Sequence, residues 1–105
     1  MNPICGDWRL RMKTPIGTIE ADYHFEEHDG VVTGTANGAG EAVTLTDLVT
    51  EDTPDGQHAA WRQQITRPLR LNLEYDVTIT GDTLTGESRA GRLPRTRVTG
   101  RRITA

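Results

Sequence analysis

Several kinds of residue are scarce in this sequence, and each scarcity excludes a class of protein. The single cysteine, Cys5, excludes an intramolecular disulfide. No apolar run approaches the roughly 20 residues that a membrane-spanning helix needs. Too few residues precede Cys5 to leave room for a signal peptide or a lipoprotein leader. We therefore expect a cytoplasmic protein that has no association with a membrane.

The apolar content is also low. Hydrophobic residues make up 34% and aromatic residues 5% of the 105 positions, which is lean for a globular protein. The 16 threonines and the regularly spaced glycines nevertheless favour strands and turns over disorder. A chain of this length is large enough for one hydrophobic core and too short for two. We therefore expect residues 1–105 to form a single domain with few, well-placed inward side chains.

Side chains alternate between apolar and polar with a period of two through most of the chain, which is typical of strands with one buried face. The first such segment runs from Gly6 to Lys13. Eight segments of this kind are joined by short turns, of which Asp29-Gly30 and Gly81-Asp82 are two, and no segment has a helical period. This pattern predicts an all-β fold, an eight-stranded antiparallel up-and-down β-barrel without significant helix. An open two-sheet sandwich is the alternative.

Gly6, Asp7 and Trp8 open the first strand, and Arg102 lies near the end of the last one. In these residues the chain resembles the calycins, the superfamily of lipocalins, fatty-acid-binding proteins and avidins, and the short bacterial lipocalin-like domains. The resemblance implies a barrel that holds a small molecule, with Trp8 plugging its closed end and Arg102 packed across the indole. The alternation of side chains independently places both Trp8 and Arg102 inside.

Many of the inward positions carry small residues, which leaves volume that their neighbours need not fill. These positions are Ala21, Gly34, Ala36, Ala59, Gly86, Ser88, Ala90 and Gly100. The alternative is a flattened barrel in which the glycines mark close approaches of the backbone. The predicted lining of the cavity is Met12, Ile19, Tyr23, Leu45, Trp61, Gln63, Leu71, Leu73 and Tyr75. Its mouth is expected at the turns opposite Trp8, and its ligand is expected to be mostly apolar and flat or compact.

Asp47, Gln63 and Tyr23 are the candidate catalytic residues. If the fourth strand continues without a bulge, Asp47 points inward, where burial would raise its pKa and make it an acid or base. Gln63 and Tyr23 would then orient a carbonyl group. A bulge would instead turn Asp47 to solvent and place Leu48 inside, which spares the cost of burying a lone carboxylate.

The remaining polar residues suggest no cofactor and no metal ion. The histidines His24, His28 and His58 are expected on the surface, and they lack the spacing of a metal site. No glycine-rich loop precedes a helix, so a phosphate-binding loop is not predicted.

Charge is unevenly distributed along the chain. Lys and Arg are absent between Lys13 and Arg62, where ten acidic residues occur, whereas six Arg and no acid lie between Arg89 and Arg102. In a closed barrel the outward cations of the first and last strands form a basic wall of Arg9, Arg11, Lys13, Arg95, Arg97 and Arg101. Acids of the second strand balance this wall, or it meets an acidic surface of a second copy in a homodimer. The net charge of −3 argues against nucleic acid as the partner.

Three functions are compatible with these patterns. The first is binding of a small, mostly apolar molecule in the barrel. The second is a cofactor-free cyclase or isomerase that acts on a polyketide-like or other hydrophobic metabolite. The third is a small homodimerising structural domain with a packed core. An inward Asp47 beside Gln63 or a tyrosine would favour the enzyme, and a filled barrel would favour the structural domain.

Overall fold

The computed structural model describes residues 2–14, 17–38, 40–66 and 70–103, which contain nine strands and no helix. The strands are β1 (Gly6–Thr14), β2 (Gly17–His28), β3 (Val31–Gly38), β4 (Glu41–Thr44), β5 (Thr46–Thr53), β6 (Gly56–Ile65), β7 (Leu71–Thr80), β8 (Thr83–Ala90) and β9 (Thr96–Arg102). Within the described ranges, no helix is long and apolar enough to cross a bilayer.

All nine strands belong to one antiparallel sheet with the order β4-β3-β2-β1-β9-β8-β7-β6-β5. The ladder between β1 and β9 joins the first strand to the last, and the sheet curls until β4 and β3 contact β6 and β5. The predicted all-β, up-and-down antiparallel barrel is therefore confirmed, and it is nearly closed.

The strand count differs from the prediction because the expected fourth strand is divided at Leu45. The part before it, β4, pairs with β3, and the part after it, β5, pairs with β6. Leu45 N donates a hydrogen bond to Gly34 O at 2.9 Å, which continues the β3–β4 ladder by one pair, and the next residue, Thr46, pairs with Arg62 of β6. We call the line along which β3 and β4 face β5 and β6 the seam.

A β-bulge follows directly on this division. The register between β5 and β6 shifts between Thr46 and Val49, and Asp47 adopts a left-handed backbone with φ of 52°. The Asp47 side chain is 73% exposed, and Leu48 is partly buried against the core. Of the two alternatives for this strand the bulged one is therefore observed, so Asp47 lies outside the barrel and is not a catalytic residue of its interior.

The polar residues from Glu51 to Gly56 predict a loop, but the connection between β5 and β6 is shorter. β5 continues to Thr53 and β6 begins at Gly56, so Pro54 and Asp55 alone form the turn. Gly56 has a φ of 132°, and a Cβ there would lie 2.3 Å from Ile79 O. Only glycine fits this backbone position. The Arg67-Pro68 pair predicts a turn, and Leu69 after it is predicted to begin the next strand, but these three residues lie outside the described part of the chain.

The closed end of the barrel is packed around Trp8. Trp8 is fully buried, and its Nε1 donates to Ile4 O at 2.8 Å. Ile4 is also fully buried, and its backbone N donates to Gln57 Oε1 at 3.0 Å. The guanidinium of Arg102 lies over the indole ring. The segment before β1 thus covers this end, and the predicted inward positions of Trp8 and Arg102 are confirmed.

The other four aromatic residues form one cluster in the middle of the barrel. Trp61 and Tyr75 stack with their centroids 5.0 Å apart, and Phe25 meets Trp61 edge-on at 5.4 Å. Tyr23 contacts all three. Below this level Gly86 lets the backbone of β7 approach closely, so the close-approach interpretation is right for Gly86, whereas Gly100 leaves room for the Leu10 side chain. Above it, small residues leave space.

Candidate ligand-binding cavity

A cavity of about 380 Å³ fills the half of the barrel opposite Trp8. Its lining comprises Met12, Gly17, Thr18, Ile19, Ala21, Tyr23, Ala36, Gly38, Glu41, Val43, Gln63, Ile65, Leu71, Leu73, Tyr75, Ser88 and Thr96. Gly17 and Thr18 are solvent-exposed, so the cavity reaches the surface at this end. The volume lies at the lower end of the roughly 300–1,000 Å³ that is usual for ligand pockets.

Seven of the nine residues predicted to line the cavity do so: Met12, Ile19, Tyr23, Gln63, Leu71, Leu73 and Tyr75. The other two do not. Trp61 is withdrawn from the cavity because it stacks on Tyr75, and Leu45 is withdrawn because it packs where Gly34 leaves room. Both side chains belong to the core that supports the cavity.

The small residues Ala21, Ala36 and Ser88 border the cavity, as their place in the inward rows suggested. Each leaves space that a longer side chain would occupy. The expected mouth at the turns opposite Trp8 agrees with the lining at strand ends, although residues 15, 16, 39 and 67–69 lie outside the described part of the chain.

Glu41 is a lining residue that the sequence did not single out. Its carboxylate accepts hydrogen bonds from Thr66 N at 2.9 Å and from Thr66 Oγ1 at 2.6 Å. These bonds tie the start of β4 to the end of β6 across the seam, at the rim of the cavity. Glu41 lies two positions before Val43 and four before Leu45, so the alternation of the strand predicts that its side chain points inward too. It was not recognised as a lining residue because it stands beside a turn.

The polar groups inside the barrel converge on Gln63. Tyr23 Oη donates to Gln63 Oε1 at 2.9 Å, and Trp61 Nε1 donates to the same oxygen at 3.0 Å. Tyr75 Oη donates to Met12 Sδ at 2.9 Å. Gln63 is only 6% exposed, so the cavity presents fixed polar atoms within a mainly apolar wall. Such a surface favours an apolar ligand and orients it through a few hydrogen bonds.

Of the three candidate catalytic residues, the structure brings together Gln63 and Tyr23 only. Asp47 lies on the outer surface, with Arg62 Nη1 4.0 Å from its carboxylate. Burial raises the pKa of Tyr23 well above its ordinary value, so its phenol is neutral near pH 7 and serves as a donor. Among the described lining residues Glu41 is the one carboxylate, and it is engaged by Thr66. The arrangement can hold and orient a polar group.

The expected basic wall is observed in part. Arg9 and Arg101 face each other across the β1–β9 ladder. Arg9 Nε lies 3.0 Å from Asp22 and Arg11 Nε 2.9 Å from Glu20, so acids of β2 neutralise one side of the wall. Arg95 pairs with Glu87 on β8. The predicted balance by β2 is therefore present.

The two ends of the barrel differ in charge. The tight turns at the closed end carry Asp29, Asp55 and Asp82, whereas the described connections at the open end carry Arg70, Arg92 and Arg95. Two of these charges are paired, Asp82 with Arg102 and Arg95 with Glu87, so the difference is confined to the remaining residues of the connections.

The histidines lie on the outer surface. His24 Nδ1 is 2.6 Å from Asp7 Oδ1, and its Nε2 is 2.7 Å from Glu26 Oε1. These hydrogen bonds raise the pKa of His24, that to Asp7 most strongly. His28 also contacts Glu26. Over the described ranges, no group of three or more His, Cys, Asp or Glu is placed to hold a metal ion.

No family model matches the chain, and neither a curated protein nor a solved structure is significantly similar to it. Its function has to be inferred from its own residues.

Proposed function

We propose that the chain is a calycin-like barrel that binds a small, mostly apolar molecule in its interior. The observation that carries this proposal is the cavity of about 380 Å³ beside the aromatic cluster. The space adjoins fixed side chains, among them Tyr75, which packs against Trp61. A preformed apolar cavity with a few oriented polar atoms is the usual form of a small-molecule site.

The closed end supports the same proposal. Trp8 and Arg102 pack across the base of the barrel, so we expect a ligand to enter from the opposite end, where Gly17 and Thr18 are exposed. A barrel that is plugged at one end and open at the other shields an apolar molecule from water on most sides. The cytoplasmic location, the homodimer and the cofactor-free enzyme stay predictions, and the outward position of Asp47 removes one support for the enzyme.

Fluorescence of the neutral, apolar dye N-phenylnaphthylamine tests the proposal directly. We expect the dye to brighten on addition of the protein and to saturate with one dye per chain. Ala36→Phe should weaken binding by tenfold or more, because Ala36 borders the cavity and the ring would occupy it.

Thr35→Phe is the matched control, because Thr35 precedes Ala36 on β3 and faces solvent. Thermal melting of each variant checks that both fold. The proposal fails if the dye does not bind the wild type, or if the two variants bind it equally well.

A further inference from the structure

The orientation of the Gln63 amide is determined by its two hydrogen bonds. Both Tyr23 Oη and Trp61 Nε1 lie at Oε1, at 2.9 and 3.0 Å. An indole N–H can only donate, so the atom that faces Trp61 has to be the amide oxygen. The two donors also occupy both lone pairs of that oxygen. The NH₂ group of Gln63 consequently points away from Tyr23 and Trp61.

Within residues 2–14, 17–38, 40–66 and 70–103, Gln63 Nε2 has no hydrogen-bond partner. It is also not sealed in, because every fully enclosed side-chain nitrogen or oxygen in those ranges has a partner. The Gln63 side chain lies on the inward row of β6, between Trp61 and Ile65. Gln63 also lines the outer depression beside Asp47 and Arg62, but its side chain lies on the inward row and borders the cavity, so we assign its NH₂ group to the cavity.

We propose that Gln63 is the specificity-determining residue of the cavity and that the ligand is a neutral apolar molecule with a carbonyl group, which accepts a hydrogen bond from Nε2. This inference rests on the proposed function. A hydrocarbon of the same shape would displace water from Nε2 and leave the donor unpaired, whereas a carbonyl satisfies it.

The charge of the lining favours a neutral carbonyl over a carboxylate. The described lining contains no Lys, Arg or His that could pair with a ligand carboxylate, and Glu41 is the one carboxylic acid in it. A ligand hydroxyl finds no vacant lone pair on Gln63, because Tyr23 and Trp61 hold Oε1. The polar group that this position accepts best is an acceptor without charge.

A pair of ligands with the same shape tests the assignment. Naphthyl methyl ketone and isopropenylnaphthalene, substituted at the same ring position, differ only in C=O against C=CH₂. Displacement of N-phenylnaphthylamine should show that the wild type binds the ketone roughly threefold to tenfold more tightly. Gln63→Leu should lose this preference, and Gln64→Leu, which alters the exposed neighbour, should retain it. Equal affinity of the wild type for both compounds overturns the role of Gln63, whereas binding of neither compound overturns the proposed function.

A second measurement does not depend on the folding of Gln63→Leu. The side-chain NH₂ signals of Gln63 in the ¹H–¹⁵N spectrum of the wild type should shift downfield when the ketone saturates the protein, and the hydrocarbon should not cause this shift. Tyr23→Phe keeps the Gln63 amide but removes one of the two hydrogen bonds that orient it. Its preference for the ketone over the hydrocarbon should therefore lie between those of the wild type and Gln63→Leu. Ketone binding without any change in the Gln63 signals contradicts the proposal.

Discussion

Arg102 Cζ lies 4.4 Å from the centre of the Trp8 indole. The same guanidinium donates to Cys5 O at 2.6 Å and to Pro3 O at 2.7 Å, and its Nε donates to Asp82 Oδ1 at 3.0 Å. One side chain from the end of β9 therefore joins the segment before β1, the plug of the barrel and the turn between β7 and β8.

Arg102→Met should lower the free energy of unfolding by about 2–4 kcal/mol, because it removes the cation–π contact and several charge-assisted hydrogen bonds together. Arg102→Lys should lower the free energy of unfolding by less, since the ammonium keeps the charge but cannot make the same set of hydrogen bonds as the planar guanidinium. Urea unfolding measures both. Arg101→Met is the control, because Arg101 is exposed on the same strand. Equal losses for Arg101→Met and Arg102→Met would contradict the role of the Arg102 contacts.

Gln63→Leu should also destabilise the protein, by about 1–3 kcal/mol, because the Tyr23 and Trp61 donors would lose their common acceptor inside the barrel. Gln64→Leu places the same residue at the exposed neighbour and should change stability by less than about 0.5 kcal/mol. Chemical unfolding, monitored by Trp fluorescence, compares the two. A Gln63→Leu protein as stable as the wild type would show that water or another group replaces the amide oxygen.

The protein should lose stability as the pH rises above about 10, the ordinary pKa of tyrosine. The sequence has two tyrosines, and burial raises the pKa of both Tyr23 and Tyr75. The native state therefore keeps phenolic protons that the unfolded chain releases, so the free energy of unfolding falls with increasing pH.

Urea unfolding at a series of alkaline pH values measures this slope, and phenolate absorbance follows the ionisation itself. Tyr23→Phe should make the slope shallower. Ionisation of both tyrosines at their ordinary pKa in the folded protein would contradict the expectation.

His24 should titrate above its ordinary pKa of about 6.5, because it is hydrogen-bonded to Asp7 and Glu26. The protonated imidazole is favoured in the folded state, so its contribution is fully present below the unfolded pKa. That contribution disappears as the pH rises through the folded pKa. It should be small, since the His24 side chain is 45% exposed.

NMR titration of the His24 ring gives the pKa of this group. Asp7→Asn should lower it, whereas Asp55→Asn, in a turn without contact to His24, should leave it unchanged. An unaltered His24 titration in Asp7→Asn would show that Asp7 does not hold the imidazole.

The alternation of apolar and polar residues is sufficient to predict the barrel and most of the cavity wall. In an antiparallel strand with one buried face, successive side chains point alternately into the core and into solvent. Tyr23, Gln63 and Tyr75 were placed inside correctly on this basis alone. The bulge at Asp47 was one of two alternatives, since Thr46 to Val49 can pair in either register. The observed one avoids a buried carboxylate.

Other features depend on contacts that no local pattern encodes. Ile4 precedes the alternating segment, and its burial depends on Gln57, which lies 53 positions further along the chain. Trp61 lies on the same inward row as Gln63, but its ring packs against Tyr75 instead of lining the cavity. Aromatic stacking determines the orientation of this ring. Glu41 acquires its role from Thr66, which follows β6, whereas the ladder partner of β4 is β3.

The seam is a break in the backbone hydrogen bonding of the barrel wall. Each of the other neighbouring strand pairs is joined by a backbone ladder, whereas β4 meets β6 through side-chain contacts such as that of Glu41 with Thr66. A wall that is continuous except along one line widens most easily along that line. We therefore expect a ligand larger than the cavity to part β4 from β6 before it disturbs the packing at Trp8.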